Sequence, residues 1–472
     1  MSAKKLSLRN KLAHVFPLEK IARVNLLAEL LYPSCLASLS VEILLFLAFT
    51  VQALDSGLLG IVLLLLLIPS MLYILFNMVY DIYVIFRSKF FIPLSREGLG
   101  SYHPKVSIII PVYNEPPALL ERTLSNLKRL DYPSFEIIVS DESDPEYAEE
   151  IARVCARKKA VFLHQKKEGS GFNSRALRFG AKHAKGDIIG IVDADYNVNP
   201  AWLKKIVPYM AYRDIKVVNC PQFYTNTSNA VARVAGAFRE QGKVKDLVRY
   251  MDSSLTSSAT MIIIEKSVFK KYFTEDYITE DFAFSIRMLL DGKLTFYVPD
   301  ILGKGLGPTS IDDYAKQQMR WLDNFRIFKD YFPRIIGLPA GKLVHLFQHA
   351  TQTLYTVPAT NFLIIGLAAG TVSPSMMIVC LAMYAVVEVQ KFLFIKVQSS
   401  HLRFSDLPLF VWIGLRLYPY LLYEFLNIVL GGNAGFYRTP KGAAYWSSRE
   451  RPPMQGPRGG RAASRNRITP SP

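Results

Sequence analysis

Two kinds of apolar pattern divide this chain. Long unbroken runs occupy residues 35–54 and 58–85 near the start and 346–370, 375–396 and 406–430 near the end. Each is long enough to cross a hydrocarbon core of ~30 Å as a helix rising ~1.5 Å per residue. Asp55-Ser56-Gly57 leaves room only for a tight hairpin between the first two. Between the two sets the apolar runs are short and stop at polar groups. Lys105 to Glu115 reads as a buried strand ending in a polar turn, with a helical stretch from Pro116 to Arg129 after it. Phe135 to Asp141 and Asp187 to Asp193 repeat the pattern. Strands that alternate with helices predict an α/β domain with a mostly parallel sheet and its ligands at the carboxyl ends of the strands. Glu115, Asp141, Asp193 and Asp195 then gather along one edge.

Charge orients the runs. Lys4, Lys5, Arg9 and Lys11 precede the first span, and Arg87 and Lys89 follow the second. The positive-inside rule therefore places the N-terminus and residues 87–340 in the cytoplasm. The uncharged loop from Gly370 to Ser375 reads as outside and the basic loop from Lys396 to Arg403 as inside. A third crossing would put the tail outside, yet residues 438–472 hold eight Lys or Arg and a single acid, Glu450. Either residues 406–430, which contain Arg416, Pro419 and Glu424, make no simple crossing, or a boundary lies elsewhere. Leu322 to Leu338 mixes aromatic and aliphatic residues with Arg326, Lys329 and Arg334, the makeup of an interface helix or of an amphipathic linker against the soluble core. Arg449 to Pro472 is rich in Pro, Gly, Ser and Arg and is expected to be disordered.

Composition adds three limits. With 50% hydrophobic residues in 472 and a mean hydropathy of +0.18, one soluble core and several spans share the chain. The net charge of +17 reads as cationic flanks facing anionic lipid, and no nucleic-acid partner is expected. Cys35, Cys155, Cys220 and Cys380 are scattered, without disulfide or zinc spacing, which suits a reducing compartment for the soluble part. The N-terminus shows no cleavable signal peptide, so the first span is expected to stay as an anchor.

Four motifs carry chemistry, the first being Val139-Ser140-Asp141 at the end of its apolar run. Asp193-Ala194-Asp195 directly follows an apolar strand, where hard carboxylate oxygens suit a divalent cation that neutralises a diphosphate leaving group. Asp281, in Thr279-Glu280-Asp281, opens a helical pattern and is the candidate general base; an N-terminal carboxylate is equally a helix cap. Spacing alone leaves the second copy, Thr274-Glu275-Asp276, open. In Gln317-Gln318-Met319-Arg320-Trp321, Arg offers a planar fork for phosphate and Trp a flat face for sugar, although a snorkelling Arg beside an interfacial Trp has the same letters.

From about Val106 to Trp321 these residues resemble the membrane-embedded family 2 inverting glycosyltransferases, the group of cellulose, hyaluronan and mannan synthases and ceramide glucosyltransferase. A weaker likeness extends to Phe436 to Lys441. The resemblance implies a GT-A fold inserted between transmembrane helices, a UDP- or GDP-sugar donor, Mg2+ or Mn2+, and inversion at the anomeric carbon. By the same resemblance Pro111, Tyr113, Glu115 and Asp141 hold the nucleoside, Asp193 and Asp195 meet diphosphate and metal, and Asp195 is the direct ligand. Asp281 is the base, and Gln317, Gln318 and Arg320 hold pyrophosphate. Gln222 in Cys220-Pro221-Gln222, Glu280 and Trp321 face the acceptor. The chain departs from the pattern at Asn173, where many synthases carry Lys; Arg175 or Arg178 is then the candidate cation, and donor preference is what this changes.

The expected organisation is a basic segment 1–34, two spans in 35–86, a cytosolic transferase domain 87–321, an interface helix 322–342, about three spans in 343–432 and a basic tail 433–472. The expected activity is sugar transfer to a growing β-linked polysaccharide by a multi-pass cell-membrane protein whose catalytic domain lies in the cytoplasm. Transfer of one sugar to a lipid acceptor is the alternative, and a non-catalytic nucleotide-binding scaffold is a third reading, opposed by intact acids at every catalytic position.

Overall fold

The computed structural model describes residues 22–432 apart from 92–93, 95–98, 100–101, 167–172, 254, 256–257, 259 and 276. The expected disorder of 449–472, the Phe436 to Lys441 likeness, Asp276, Gly171 and the N-terminal basic segment through Lys11 lie outside the described residues.

Two apolar helices, α1 (Ala22–Asp55) and α2 (Gly57–Ser88), open the described chain. The α/β domain follows, and its first half is an alternation: β1 (Val106–Val112), α3 (Pro117–Leu127), β2 (Phe135–Asp141), α4 (Pro145–Arg157), β3 (Val161–His164), α5 (Asn173–His183) and β4 (Ile188–Ile191). Both faces of β1 are covered, so its side chains are almost all buried and its sequence reads as a continuous apolar run. The second half holds β5 (Asn197–Val198), α6 (Trp202–Ile206), β6 (Ile215–Asn219), β7 (Phe223–Tyr224) and the long α7 (Ala230–Ser253). Then come β8 (Ile262–Glu265), α8 (Lys266–Tyr272), α9 (Glu280–Leu290), β9 (Leu294–Tyr297) and β10 (Gly303–Gly305).

The main sheet runs β3-β2-β1-β4-β8-β6-β9. β1 pairs in parallel with β2 on one side and β4 on the other, so the strand order reverses there, and the crevice beyond their carboxyl ends is the place where such sheets bind ligands. The sheet is mostly parallel, as the alternation predicts, and of its seven strands only β8 runs against its neighbours, β4 and β6. A small second sheet, β5-β10-β7, covers one side of the crevice.

The domain ends in α10 (Ile311–Trp321), which Ser310 caps by accepting the Asp313 N–H at 3.1 Å. α11 (Asp323–Ile335) and α12 (Ala340–Thr351) come next. Ile327, Phe328, Tyr331 and Ile335 of α11 pack with Phe282 and Ile286 of α9 and Leu346 of α12, so the amphipathic segment joins the soluble core, with Phe332 and Ile336 on its exposed side.

A five-residue 3-10 turn, Gln352–Thr356, separates α12 from α13 (Val357–Ala369), so the apolar run 346–370 is a broken helix. α14 (Pro374–Gln398) and α15 (Leu407–Val429) complete the chain. Among the described residues four helices are long and apolar enough to cross a membrane, in Ala37–Asp55, Gly57–Ser88, Pro374–Gln398 and Phe404–Val429. Packing groups a different four. One apolar core joins α1, α2, α13 and α14 through Phe49, Leu67, Met71, Phe362 and Cys380. The Ser56 hydroxyl lies 3.4 Å from Met376 Sδ, so the α1–α2 turn and the α13–α14 turn share one end of this bundle. α15 packs outside that core, with Ile413, Leu417 and Leu421 against α10 and the 3-10 turn.

Candidate active site

The strand ends place the acids. Asp141, the last residue of β2, is fully buried and accepts from the Ser143 hydroxyl at 2.6 Å, while His164 Nδ1 lies 2.7 Å from its other oxygen. The turn after β1 passes through Asn114 at φ 50°, a left-handed conformation that Asn tolerates. It is fixed by the Asn114 N–H donating to Ser143 Oγ at 2.7 Å and its Nδ2 donating to Asp144 at 2.6 Å. Pro111, Tyr113 and Glu115 line this turn, partly exposed, so the turn and Asp141 make one wall of the crevice.

Asp193 and Asp195 follow β4. The Asp193 N–H donates to Thr260 Oγ1 at 3.0 Å, the Ala194 carbonyl accepts from the buried Thr123 hydroxyl at 2.6 Å, and Asp195 Oδ2 accepts the Leu306 N–H at 3.2 Å. Three elements thus hold the Asp-Ala-Asp turn. Among the described residues no cluster of three or more His, Cys, Asp or Glu could hold a metal. Two adjacent carboxylates with room for phosphate oxygens and water are a donor set that suits Mg2+ or Mn2+, which keep several waters, and does not suit zinc.

The Thr279-Glu280-Asp281 motif enters the site from the start of α9. Asp281 Oδ1 accepts the Phe282 N–H at 2.9 Å. Burial raises the Asp281 carboxyl above its ordinary value, opposed by the Phe282 N–H and the nearby Arg239 and Arg320. Burial and the neighbouring Asp281 push Glu280 up to about 8. Arg320 is partly buried, and burial lowers it against the pull of Glu280, Asp193 and Asp281. The structure thus gathers Asp193, Glu280, Asp281 and Arg320 into one electrostatic cluster.

Gln317 and Gln318 are buried on α10, with Tyr224 OH 3.5 Å from Gln317 Oε1. Gln222 is bonded to Ser258 and, with Trp321, lines a cavity of about 150 Å³ between α7, the 3-10 turn and α15. The two candidate cations of α5 part company. Arg175 lies 3.4 Å from Glu142 and donates to the Lys166 carbonyl, beside the Asp141 wall. Arg178 instead donates to the Phe273 carbonyl at 3.1 Å and pairs with Glu275 at 3.1 Å, in the loop before Thr279.

Two residues escaped the sequence reading. Arg239 of α7 stacks 4.4 Å over the Trp321 ring and donates to Tyr224 OH at 3.3 Å, which fixes the indole and puts a cation near Asp281. Asp323, fully buried two residues beyond Trp321, accepts the backbone N–H groups of Ile278 and Thr279 at 2.7 and 3.1 Å. Its other oxygen binds Arg326 at 2.6 Å. The pentapeptide helix and the Thr279-Glu280-Asp281 motif are therefore fastened through one carboxylate. The available signal was small: Ala232, Ala235, Gly236 and Ala237 mark close packing of α7, but its charges read as a solvated face.

Residues 107–273 match the model described as Glycosyl transferase family 2. The chain is 23% identical over 309 residues to the UDP-forming cellulose synthase 1 catalytic subunit of Komagataeibacter xylinus, covering 61% of this chain and 41% of that one. It is 25% identical over 243 residues to the probable glucomannan 4-beta-mannosyltransferase 14 of Arabidopsis thaliana, covering 47% and 45%. The chain thus spans under half the length of both relatives. Among solved structures, a mannosyltransferase of Pyrobaculum calidifontis in complex with GDP-Man and Mn2+ superposes with a TM-score of 0.55 at 16% identity, over 82% of this chain and 99% of that one. That likeness establishes the GT-A fold.

Proposed function

We infer that this chain, whose residues 107–273 form a Glycosyl transferase family 2 domain, is a membrane glycosyltransferase that adds sugars, with inversion, from a UDP- or GDP-sugar to a growing β-linked polysaccharide. The observation that carries the reading is the convergence of Asp281, Arg320 and Asp193 at the sheet's carboxyl edge, with Trp321 and the cavity on the other side of Arg239. A scaffold has no need to gather three acids against two arginines, with Glu280 buried and the others partly so, an arrangement that desolvation makes costly.

In the proposed reaction an acceptor hydroxyl, lying over Trp321, attacks the anomeric carbon. Its proton passes to Asp281, the bond from that carbon to the diphosphate oxygen breaks, and the nucleoside diphosphate departs from the opposite face. Burial suits Asp281 to the task, because a carboxylate raised above its ordinary value is a stronger base. Arg320 meets the charge developing on the leaving group, with Gln317 and Gln318 orienting its helix, and the Asp141 wall with Pro111, Tyr113, Glu115 and Arg175 receives the nucleoside. Asp193 and Asp195 would hold a divalent cation, which when bound adds charge neutralisation at the diphosphate.

The cavity also favours a second reading, single transfer to a lipid acceptor, because it opens between the catalytic domain and helices that pack at the membrane. In both readings the catalytic domain faces the cytoplasm. The test is a panel of radiolabelled UDP- and GDP-sugars given to the full chain in nanodiscs with Mg2+ or Mn2+. Insoluble label of growing length supports the polysaccharide, one labelled lipid supports the second reading, and nucleotide binding without transfer overturns both.

A further inference from the structure

The face of α7 turned to the cavity is cationic. Arg239, Lys243, Lys245 and Arg249 line it, and Asp246 is the sole carboxylate among the lining residues described. Two of the four cations are matched: Lys245 pairs with Asp81 at 2.7 Å and Arg249 with Asp246 at 2.7 Å. Arg239 and Lys243 make no ion pair among the described residues. Lys243 is partly buried, and burial lowers its ammonium. Two partly buried cations that no carboxylate pairs directly cost free energy that an incoming anion recovers.

The hydrogen-bonding atoms of the lining have the same bias. Gln241 Nε2, Arg249 Nε, Thr353 Oγ1, Thr356 Oγ1 and Asn219 Oδ1 are buried with no hydrogen-bond partner. Four of these five atoms can donate, and so call for acceptor oxygens on whatever fills the space. The donor's diphosphate does not supply them. It belongs beside Asp193 and Arg320, whereas the charges acting on Lys243 are Asp300 and Glu240.

We propose that this cavity is the acceptor subsite and that its acceptor carries an anionic oxygen group, a phosphate or a carboxylate, near the hydroxyl that receives the sugar. The proposal rests on the transferase reading above and narrows its acceptor. A phosphate would come from a lipid headgroup and a carboxylate from a uronate in a glycan; the chemistry that recognises them is shared.

The full chain in phosphatidylcholine nanodiscs, given the sugar donor that the panel identifies, is offered farnesyl phosphate, farnesol, a glucuronate-containing oligosaccharide and a neutral cello-oligosaccharide. One anionic acceptor should exceed its neutral counterpart by about 10-fold or more in kcat/KM, and which one does so names the source. Lys243→Met should raise KM for that acceptor about 10-fold and leave KM for the sugar donor within about twofold. Equal use of neutral and anionic acceptors, or a Lys243→Met enzyme with unchanged acceptor KM, overturns the proposal and leaves the transferase reading intact. Binding is read separately from the melting temperature of Asp281→Asn protein. If no sugar donor supports transfer, yet the anionic acceptors raise that melting temperature and Lys243→Met abolishes the rise, the cavity assignment stands and the transferase reading falls.

Discussion

Replacing Asp323 with Asn tests whether the base is positioned from outside its own motif. The side chain keeps its shape, but one oxygen becomes an amino group and the charge is lost. With the amide oxygen turned to Ile278 and Thr279, both backbone bonds survive as neutral ones, each weaker by about 1 kcal/mol than a bond to a carboxylate. The amino group then faces the Arg326 guanidinium, now 2.6 Å from the carboxylate, and that pair is lost. It is largely buried, at 16% and 0% exposure, so its loss adds about 1–2 kcal/mol. Local destabilisation of about 3–4 kcal/mol follows, concentrated in the two residues that precede Glu280 and Asp281. Displacing a catalytic group by ~1 Å costs on the order of 100-fold in rate. The expected outcome is kcat lower by about 10- to 100-fold with KM for the sugar donor within about twofold, measured as initial rates of label transfer beside melting curves. Arg326→Gln, which leaves both backbone bonds on a charged oxygen, should lower kcat by less than about threefold. Asp323→Asn enzyme with wild-type kcat would refute the reasoning, and so would equal losses in the two variants.

Asp281→Asn should reduce transfer by about 10²- to 10⁴-fold while calorimetric binding of the nucleotide sugar survives; full activity would remove Asp281 as the base. Glu280→Gln should stabilise the metal-free protein at pH 8 and change little at pH 4.5. The folded-state value is raised to about 8, so wild-type stability falls as pH climbs from the ordinary carboxylate value toward it, and Gln removes that fall, worth up to a few kcal/mol; melting curves at the two pH values with no difference between variants would contradict the burial argument. A reporter fused after Gly432 should lie on the same side of the membrane as one placed in the catalytic domain, and opposite sides would refute the four-crossing arrangement.

The legible parts of the sequence were those whose physics is local. β1, β2 and β4 showed as apolar runs ending in acids because both faces of a central strand are covered. β8 did not reveal its direction: Ile262 to Glu265 has the same apolar run, and only pairing with residues 188–191 makes it antiparallel. β5 and β7, two residues each, are set by the neighbours of β10 and leave no pattern. Arg239 and Asp323 were missed for a shared reason. A charge on a helix reads as solvated unless the element packed over it is known, and here those elements are Trp321 and the loop 278–279. The cavity depends on the same long-range packing, so its α7 and α15 walls left no pattern in the sequence, although Gln222 and Trp321, which also line it, were singled out there.

Length admits α15 as a span and excludes α13, and the packing reverses that choice for a geometric reason. At 23 residues α15 is about 35 Å long, enough to cross. Its start is tied to the catalytic domain by Asp406, bound through both oxygens to Arg233 of α7 at 2.6 and 2.9 Å. Its end is tied to the same domain, where Lys329 of α11 donates to the Ile428 carbonyl at 2.6 Å and Phe325 meets Phe425 at 5.1 Å between ring centroids. A helix with both ends on one body cannot also traverse a bilayer beside it. Its outward Trp412, Tyr423 and Leu430 then face lipid from within one leaflet, as an interfacial helix does. α13 has only 13 residues, but the 3-10 turn before it adds five more, and together they reach about 30 Å. With α1, α2, α13 and α14 as the crossings the number is even. Under this proposed arrangement the conflict between a third C-terminal crossing and a basic tail is removed, because an even number of crossings returns the chain to the side from which it started.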